Sequence, residues 1–215
     1  RPEGRMKKKD KTFDETLVGL GISRDEAQQY RNIFNGSVFL DKTKGEVHIG
    51  EVIELVLDSF EEVMKSGPLA REPCLRMKVS LVDLKLHEDA IHRGPAQVYP
   101  AVRDAIKEAM KTANPVIYEP VQIHQVEAPT EFMGAVTSLI SGKRGNLVDV
   151  NQDEGGVTVR GELPVAEMIG WTNDLRSSTE GRGVSSLVSQ SFKRLPSEFQ
   201  DKIITPVSYT HLRAH

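Results

Sequence analysis

The sequence predicts an α+β protein made of two small α/β units, and three observations carry that prediction. Ile49, Val52, Ile53, Val56, Leu57, Phe60, Val63 and Met64 recur at steps of three and four, the stripe of an amphipathic helix. From Leu75 to Leu81 the pattern changes to strict alternation, with Leu75, Met77, Val79 and Leu81 set against Arg76, Lys78 and Ser80, as in a half-buried strand. From Val121 onward the elements read strand–helix–strand–strand–helix–strand. The rhythm restarts near Pro120, which divides the chain into units 1–120 and 121–202.

In chain order, the basic run Arg5–Lys11 leads into a short helix around Phe13, Leu17 and Leu20, with Gly21 as its stop. Ser23-Arg-Asp-Glu26 forms a capping box, predicting a helix that presents Ala27, Tyr30 and Phe34 and ends near Asn35-Gly36. Val38–Leu40 reads as a strand and Asp41–Gly45 as a polar turn; the helix from Ile49 ends at Gly67-Pro68. After the alternating strand comes a polar stretch, 87–97, punctuated by Gly94 and Pro95 and expected as an exposed loop. The next helix faces inward through Val98, Val102, Ala105, Ile106, Ala109 and Met110.

In the second unit, Val121 and Ile123 mark a strand and Pro129–Ser141 a helix. Two strands, Asn146–Gln152 and Val157–Leu163, are joined by Asp153-Glu-Gly-Gly156. A helix starting at Pro164 uses Val165, Met168, Ile169, Thr172 and Leu175, and a last strand runs from Val184 to Phe192. This order is the ferredoxin-like βαββαβ arrangement. Residues 203–215 show neither periodicity nor caps and are expected to form a disordered or foreign tail.

Composition narrows the function classes. Hydrophobic residues at 38% and charged residues at 27% fit a folded globular protein rather than a disordered one. Apolar runs are far shorter than the roughly 20 residues a membrane helix needs, and the start lacks a signal-peptide core. A cytoplasmic protein with no membrane partner is therefore expected. The single cysteine, Cys74, excludes an internal disulfide and reads as a buried small hydrophobe. A net charge of -3 is unlike a protein that grips nucleic acid over a broad surface, so any RNA contact should use a restricted patch.

Neither a phosphate loop nor a G-x-G-x-x-G after a strand is present, and Gly181-Arg-Gly183 lies between a helix and a strand, where it reads as a turn. Nucleotide hydrolysis by this segment alone is not expected. The richest constellation is His87, Glu88, Asp89 and His92. As a metal site it has the wrong spacing, because histidines five apart stand roughly 140° apart around a helix. Acid–base catalysis by a histidine beside carboxylates is a second reading, though no nucleophile accompanies it. Composition favours a third, a solvated turn between strand and helix.

The same residues carry a resemblance. Leu86-His-Glu-Asp-Ala-Ile-His-Arg-Gly-Pro-Ala-Gln97 resembles the tip loop of the elongation factor 2 family of archaea and eukaryotes, with Pro95-Ala96 nearer the archaeal form. Gly67–Pro73, Asn114–Pro120, Glu131-Phe-Met-Gly134, Arg144-Gly145, Pro164–Met168 and Asp174–Ser177 continue the likeness, in order, over about residues 1–202.

The resemblance implies that 1–120 is the family's domain IV, an S5-like α/β unit incomplete at its start, and that 121–202 is its ferredoxin-like domain V. It implies that loop 87–97 enters the decoding site of the small ribosomal subunit, beside tRNA and mRNA. It further implies that domain V rests on the factor-binding region of the large subunit. His92 matches the family's diphthamide position, which implies diphthamide-synthesis enzymes as partners. His87, Arg93, Gly94, Pro95 and Gln97 match other tip positions implied to contact RNA. The family is a translational GTPase, so GTP belongs to the full-length parent and no cofactor to this segment. The alternative expectation is a free-standing ferredoxin-like module that binds an effector or a partner without any ribosomal role.

Overall fold

A computed structural model of the chain describes residues 3–7, 10–44 and 48–212, with side chains described through residue 204. Gly45 of the expected turn, and Lys8 and Lys9 of the basic run, lie outside the described residues. The chain divides into two compact units, one of Arg1–Pro115 together with the segment from Lys202 onward, the other of Val116–Asp201.

The first unit contains β1 (Gly4–Arg5), α1 (Lys11–Gly19), α2 (Arg24–Ala27), β2 (Tyr30–Phe34), β3 (Ser37–Asp41), α3 (Ile49–Lys65), β4 (Lys78–Leu81) and α4 (Pro95–Thr112). The sheet order is β1-β2-β3-β4. Its first two pairings are antiparallel, and β3 runs parallel to β4 across the α3 connection. Adjacent residues of β3 point to opposite faces. Phe39 joins the core formed by Val52, Val56, Phe60 and Met64 of α3 with Val98, Val102, Ile106 and Met110 of α4. Leu40 joins Leu17, Ala27, Tyr30 and Ile33 on the other face. Cys74 is buried as expected, its thiol directed at the Val63 carbonyl.

Two sequence expectations change here. The Ser23 hydroxyl does cap a helix, accepting from the Glu26 amide at 3.3 Å, but that helix lasts one turn. Tyr30–Phe34, expected to be helical, is β2, joined to β3 through Asn35 (φ 49°) and Gly36 (φ 70°). Two successive positive φ values make the two-residue turn whose twist matches paired strands, and Asn-Gly is the dipeptide that tolerates it. The alternation from Leu75 becomes a strand only at Lys78, because β3 offers partners no further than Val38↔Lys78. Leu75 stays 44% exposed and Arg76 adopts φ 53°.

The second unit contains β5 (Tyr118–Ala128), α5 (Met133–Gly142), β6 (Asn146–Asp153), β7 (Gly156–Pro164), α6 (Trp171–Ser178), β8 (Val184–Arg194) and the start of α7 (Ser197–Leu212). Its antiparallel sheet has the order β6-β7-β5-β8, the βαββαβ topology expected. Val126, Val157, Val159 and Leu163 of the central strands pack with Val136, Ile140, Trp171 and Leu175 of the helices.

The division between units falls at Pro115, earlier than the expected Pro120, because Pro120 sits inside β5 opposite Phe192. Pairing with β7 begins only at Val121, so Pro120 has a neighbour on one side alone, where a proline is tolerated. The helix expected from Pro164 is a 3-10 turn at Val165–Glu167, then a break at Gly170 (φ 79°) before α6. Ile169 is consequently 87% exposed, and Trp171 takes the inward place. Of the tail at 203–215, expected as disordered or foreign, the part up to Leu212 continues α7, and 213–215 lie outside the described residues.

Candidate functional site

Past β4 the chain stays in contact with the core through Leu84 and Leu86, which pack on the α3–α4 cluster. From His87 the side chains turn outward; His87, Glu88, Asp89, Ala90, Ile91 and His92 are all exposed, Ile91 at 75%. Anchored leucines followed by a polar run give a fixed base and a solvated apex.

The apex has internal order of its own. The Asp89 carboxylate accepts from the Ile91 amide at 3.1 Å and caps a 3-10 turn over Ala90–His92. The Asp89 amide donates to His87 Nδ1 at 3.1 Å, so that nitrogen carries a lone pair in this arrangement and the neutral ring holds its proton at Nε2. Backbone bonds from His92 to Asp89 and from Arg93 to Ala90 finish the reversal. The rings of His87 and His92 meet edge to face, with centroids 4.6 Å apart. A helix would have kept these rings apart; the tight turn unites them.

Arg93, expected as an RNA contact, has its guanidinium turned toward its own chain. Its Nε donates to the His87 carbonyl at 2.6 Å, Nη2 to the Glu88 carbonyl at 2.8 Å and Nη1 to Glu51 Oε2 at 2.7 Å. Only 9% of its side chain is exposed. The guanidinium closes the loop from within, since carbonyls presented at fork spacing satisfy it better than water does. Glu51, in the first turn of α3, also bonds His48 at 2.7 Å. Its bond from Arg93, then that from His48, hold its carboxyl below the ordinary value of 4.5.

The loop ends at Gly94, shorter than the expected 87–97. Gly94 caps α4 with φ -80° and ψ 173°, and Pro95 and Gln97 belong to the first helical turn, where both remain exposed. A Cβ on Gly94 would meet only the Gln97 side-chain oxygen, at 3.4 Å. Packing within the chain therefore does not demand a glycine there.

In the second unit an open cavity of about 330 Å³ is lined by His124, Met168, Gly170, Trp171, Thr172 and Asn173. Ser185 links its polar edge, lying 2.9 Å from His124 Nδ1 and accepting from the Trp171 indole at 3.0 Å. Burial pushes the His124 imidazole below its ordinary value of 6.5. Among the described residues, no group of three or more His, Cys, Asp or Glu side chains is disposed to hold a metal ion, and no helix is long and apolar enough to cross a membrane.

Residues 2–114 match the family model described as Elongation factor G, domain IV, and residues 116–203 match that described as Elongation factor G C-terminus. The chain belongs to the elongation factor G and elongation factor 2 family. Similar proteins include elongation factor 2 of Nanoarchaeum equitans, 48% identical over 206 residues, and that of Pyrococcus furiosus, 46% identical over 206 residues. Each alignment covers 96% of this chain and 28% of the relative. Elongation factor 2 of Methanopyrus kandleri is 44% identical over 197 residues, covering 92% of this chain and 16% of that protein. The chain thus spans about a quarter of the length of most such relatives and corresponds to the carboxy-terminal region of elongation factor 2. The junction between the two family matches coincides with the division of the structure at Pro115.

Sequence reasoning missed Glu51. An acidic residue in the first turn of a helix is ordinary complementation of the helix dipole, and its loop partner lies 42 positions away. Nothing in the local pattern distinguishes it.

Proposed function

We propose that this chain is the ribosome-engaging part of a translocase that moves tRNA and mRNA, with segment 87–97, the loop to Gly94 and the first turn of α4, as the element that enters the decoding site of the small subunit. The observation that supports this best is the apex itself: two exposed imidazoles and an exposed Ile91 on a turn that is closed by its own arginine. A preformed, exposed turn suits an RNA duplex, which is recognised by shape and backbone contacts across its wide minor groove. The body, at net charge -3, limits stray attachment to RNA.

In this reading His92 is the residue converted to diphthamide, and the modifying enzymes meet it as an accessible ring. The modified cation, rather than Arg93, then supplies positive charge to the codon–anticodon region. Gly94, free of internal packing demands, leaves room for RNA to approach. The second unit rests against the factor-binding region of the large subunit. GTP binds in a domain of the parent protein outside this chain, which acts in the cytoplasm. Here the loop makes and breaks no covalent bond; it stabilises the moving tRNA–mRNA pair.

Mass analysis of the His92 peptide, from protein made in an archaeal host with the modifying enzymes, tests the reading and should find the diphthamide mass. An unmodified peptide would count against it. Replacing His92 in a full-length parent should impair the accuracy of translocation while GTP hydrolysis persists; equal loss of both contradicts the proposal.

The second reading is a free-standing effector-binding module, with the open depression beside His124 as the place a ligand would be sought. A ligand-dependent rise in melting temperature without ribosomes would favour that reading.

A further inference from the structure

The three donations from Arg93 differ in kind. Two go to carbonyls of the loop, of His87 and Glu88, and draw its two ends together. The third goes outside the loop, to Glu51 on α3, whose neighbours Val52 and Val56 are fully buried. A planar guanidinium that satisfies one partner on a packed helix and two on a turn transmits the position of the helix to the turn. Its first two donors reach the carbonyls bracketing the residue next to Asp89, whose amide sets the His87 ring.

We propose that Glu51 is the positioning residue of this loop: by fixing Arg93 against α3 it sets the reversal that brings the His87 and His92 rings together and aims them outward. The role rests on the reading of this loop as the ribosomal tip, and it adds a residue distant in sequence to that tip. Glu51 acts through Arg93, and His48 steadies the other carboxylate oxygen.

The role separates charge from geometry. Glu51→Gln keeps size and removes the ionic acceptor, Glu51→Asp keeps the charge on a shorter arm, and Arg93→Lys keeps the opposite charge but cannot grip two carbonyls and a carboxylate as a fork. Glu62→Gln, on the same helix and 3.9 Å from Arg103 rather than near the loop, is the control.

The test is NMR of this chain, reading the Arg93 side-chain N–H exchange rate and the ring-to-ring contact of His87 and His92. In Glu51→Gln the exchange should quicken about tenfold or more and the contact should weaken, with the melting temperature close to that of the parent chain. Glu51→Asp should recover part of both signals, Arg93→Lys should lose the ring contact, and Glu62→Gln should leave both signals unchanged. Unaltered exchange and ring contact in Glu51→Gln would overturn the inference, as would an equal effect of Glu62→Gln. Ribosome association of the same variants is measured separately. If Glu51→Gln opens the loop but association persists unchanged, the positioning role stands and the tip reading fails.

Discussion

An arginine in an exposed polar loop can serve either a partner's phosphates or its own backbone, and the two uses leave the same sequence. Arg93 serves its own chain, with two short donations to backbone carbonyls, a third to the Glu51 carboxylate, and a side chain 9% exposed. The two imidazoles are the rings exposed at the apex. His87 is the constrained one, because its Nδ1 accepts an amide; His92 keeps its ring in solvent. The residue types of this site were legible in the sequence and their directions were not, since direction depends on Glu51, 42 positions upstream. His124 gives a residue-scale prediction in the second unit. Burial lowers its proton affinity in the folded state, so the unfolded chain binds the proton more readily. Its contribution to stability is complete above the ordinary value of 6.5 and is lost as pH falls through the folded value. Thermal melts across that window should show declining stability for the parent chain and a flatter profile for His124→Gln.

Among the elements, α3 organises the first unit. One face carries Val52, Val56, Phe60 and Met64 into the core against Phe39 and α4, while the first turn carries Glu51 to the loop. Phe60 is fully buried, its ring 5.4 Å from that of Phe39, and Phe60→Ala should cost about 3–5 kcal/mol in denaturant unfolding. The periodicity of α3 and α4 and the order of the second sheet could be read directly, because long repeats of apolar spacing outweigh local accidents. β2 could not. Its residues follow a good helix cap, and what makes them a strand is pairing with β3 through the Asn35-Gly36 turn. The stretch before Lys78 failed for the converse reason: its alternation was sound, but β3 is too short to pair with all of it. Where Gly170 interrupts the expected helix, Trp171 rather than Ile169 fills the core.

On the scale of the whole molecule, two independently cored units follow one another in the order of the family's domain IV and C-terminal domain. The modest negative charge and the small solvated apex fit contact with RNA through one restricted element rather than a broad basic face. Affinity of such an element should depend weakly on salt, and shortening the loop should reduce ribosome association without unfolding either unit. The most direct measurement is photo-crosslinking from the apex. A photoreactive residue in place of Ile91, carried in a full-length parent bound to ribosomes programmed with mRNA and tRNA, should crosslink to decoding-site RNA of the small subunit or to the tRNA–mRNA pair. Crosslinks confined to other ribosomal regions, or none from a factor shown to be bound, would contradict the account.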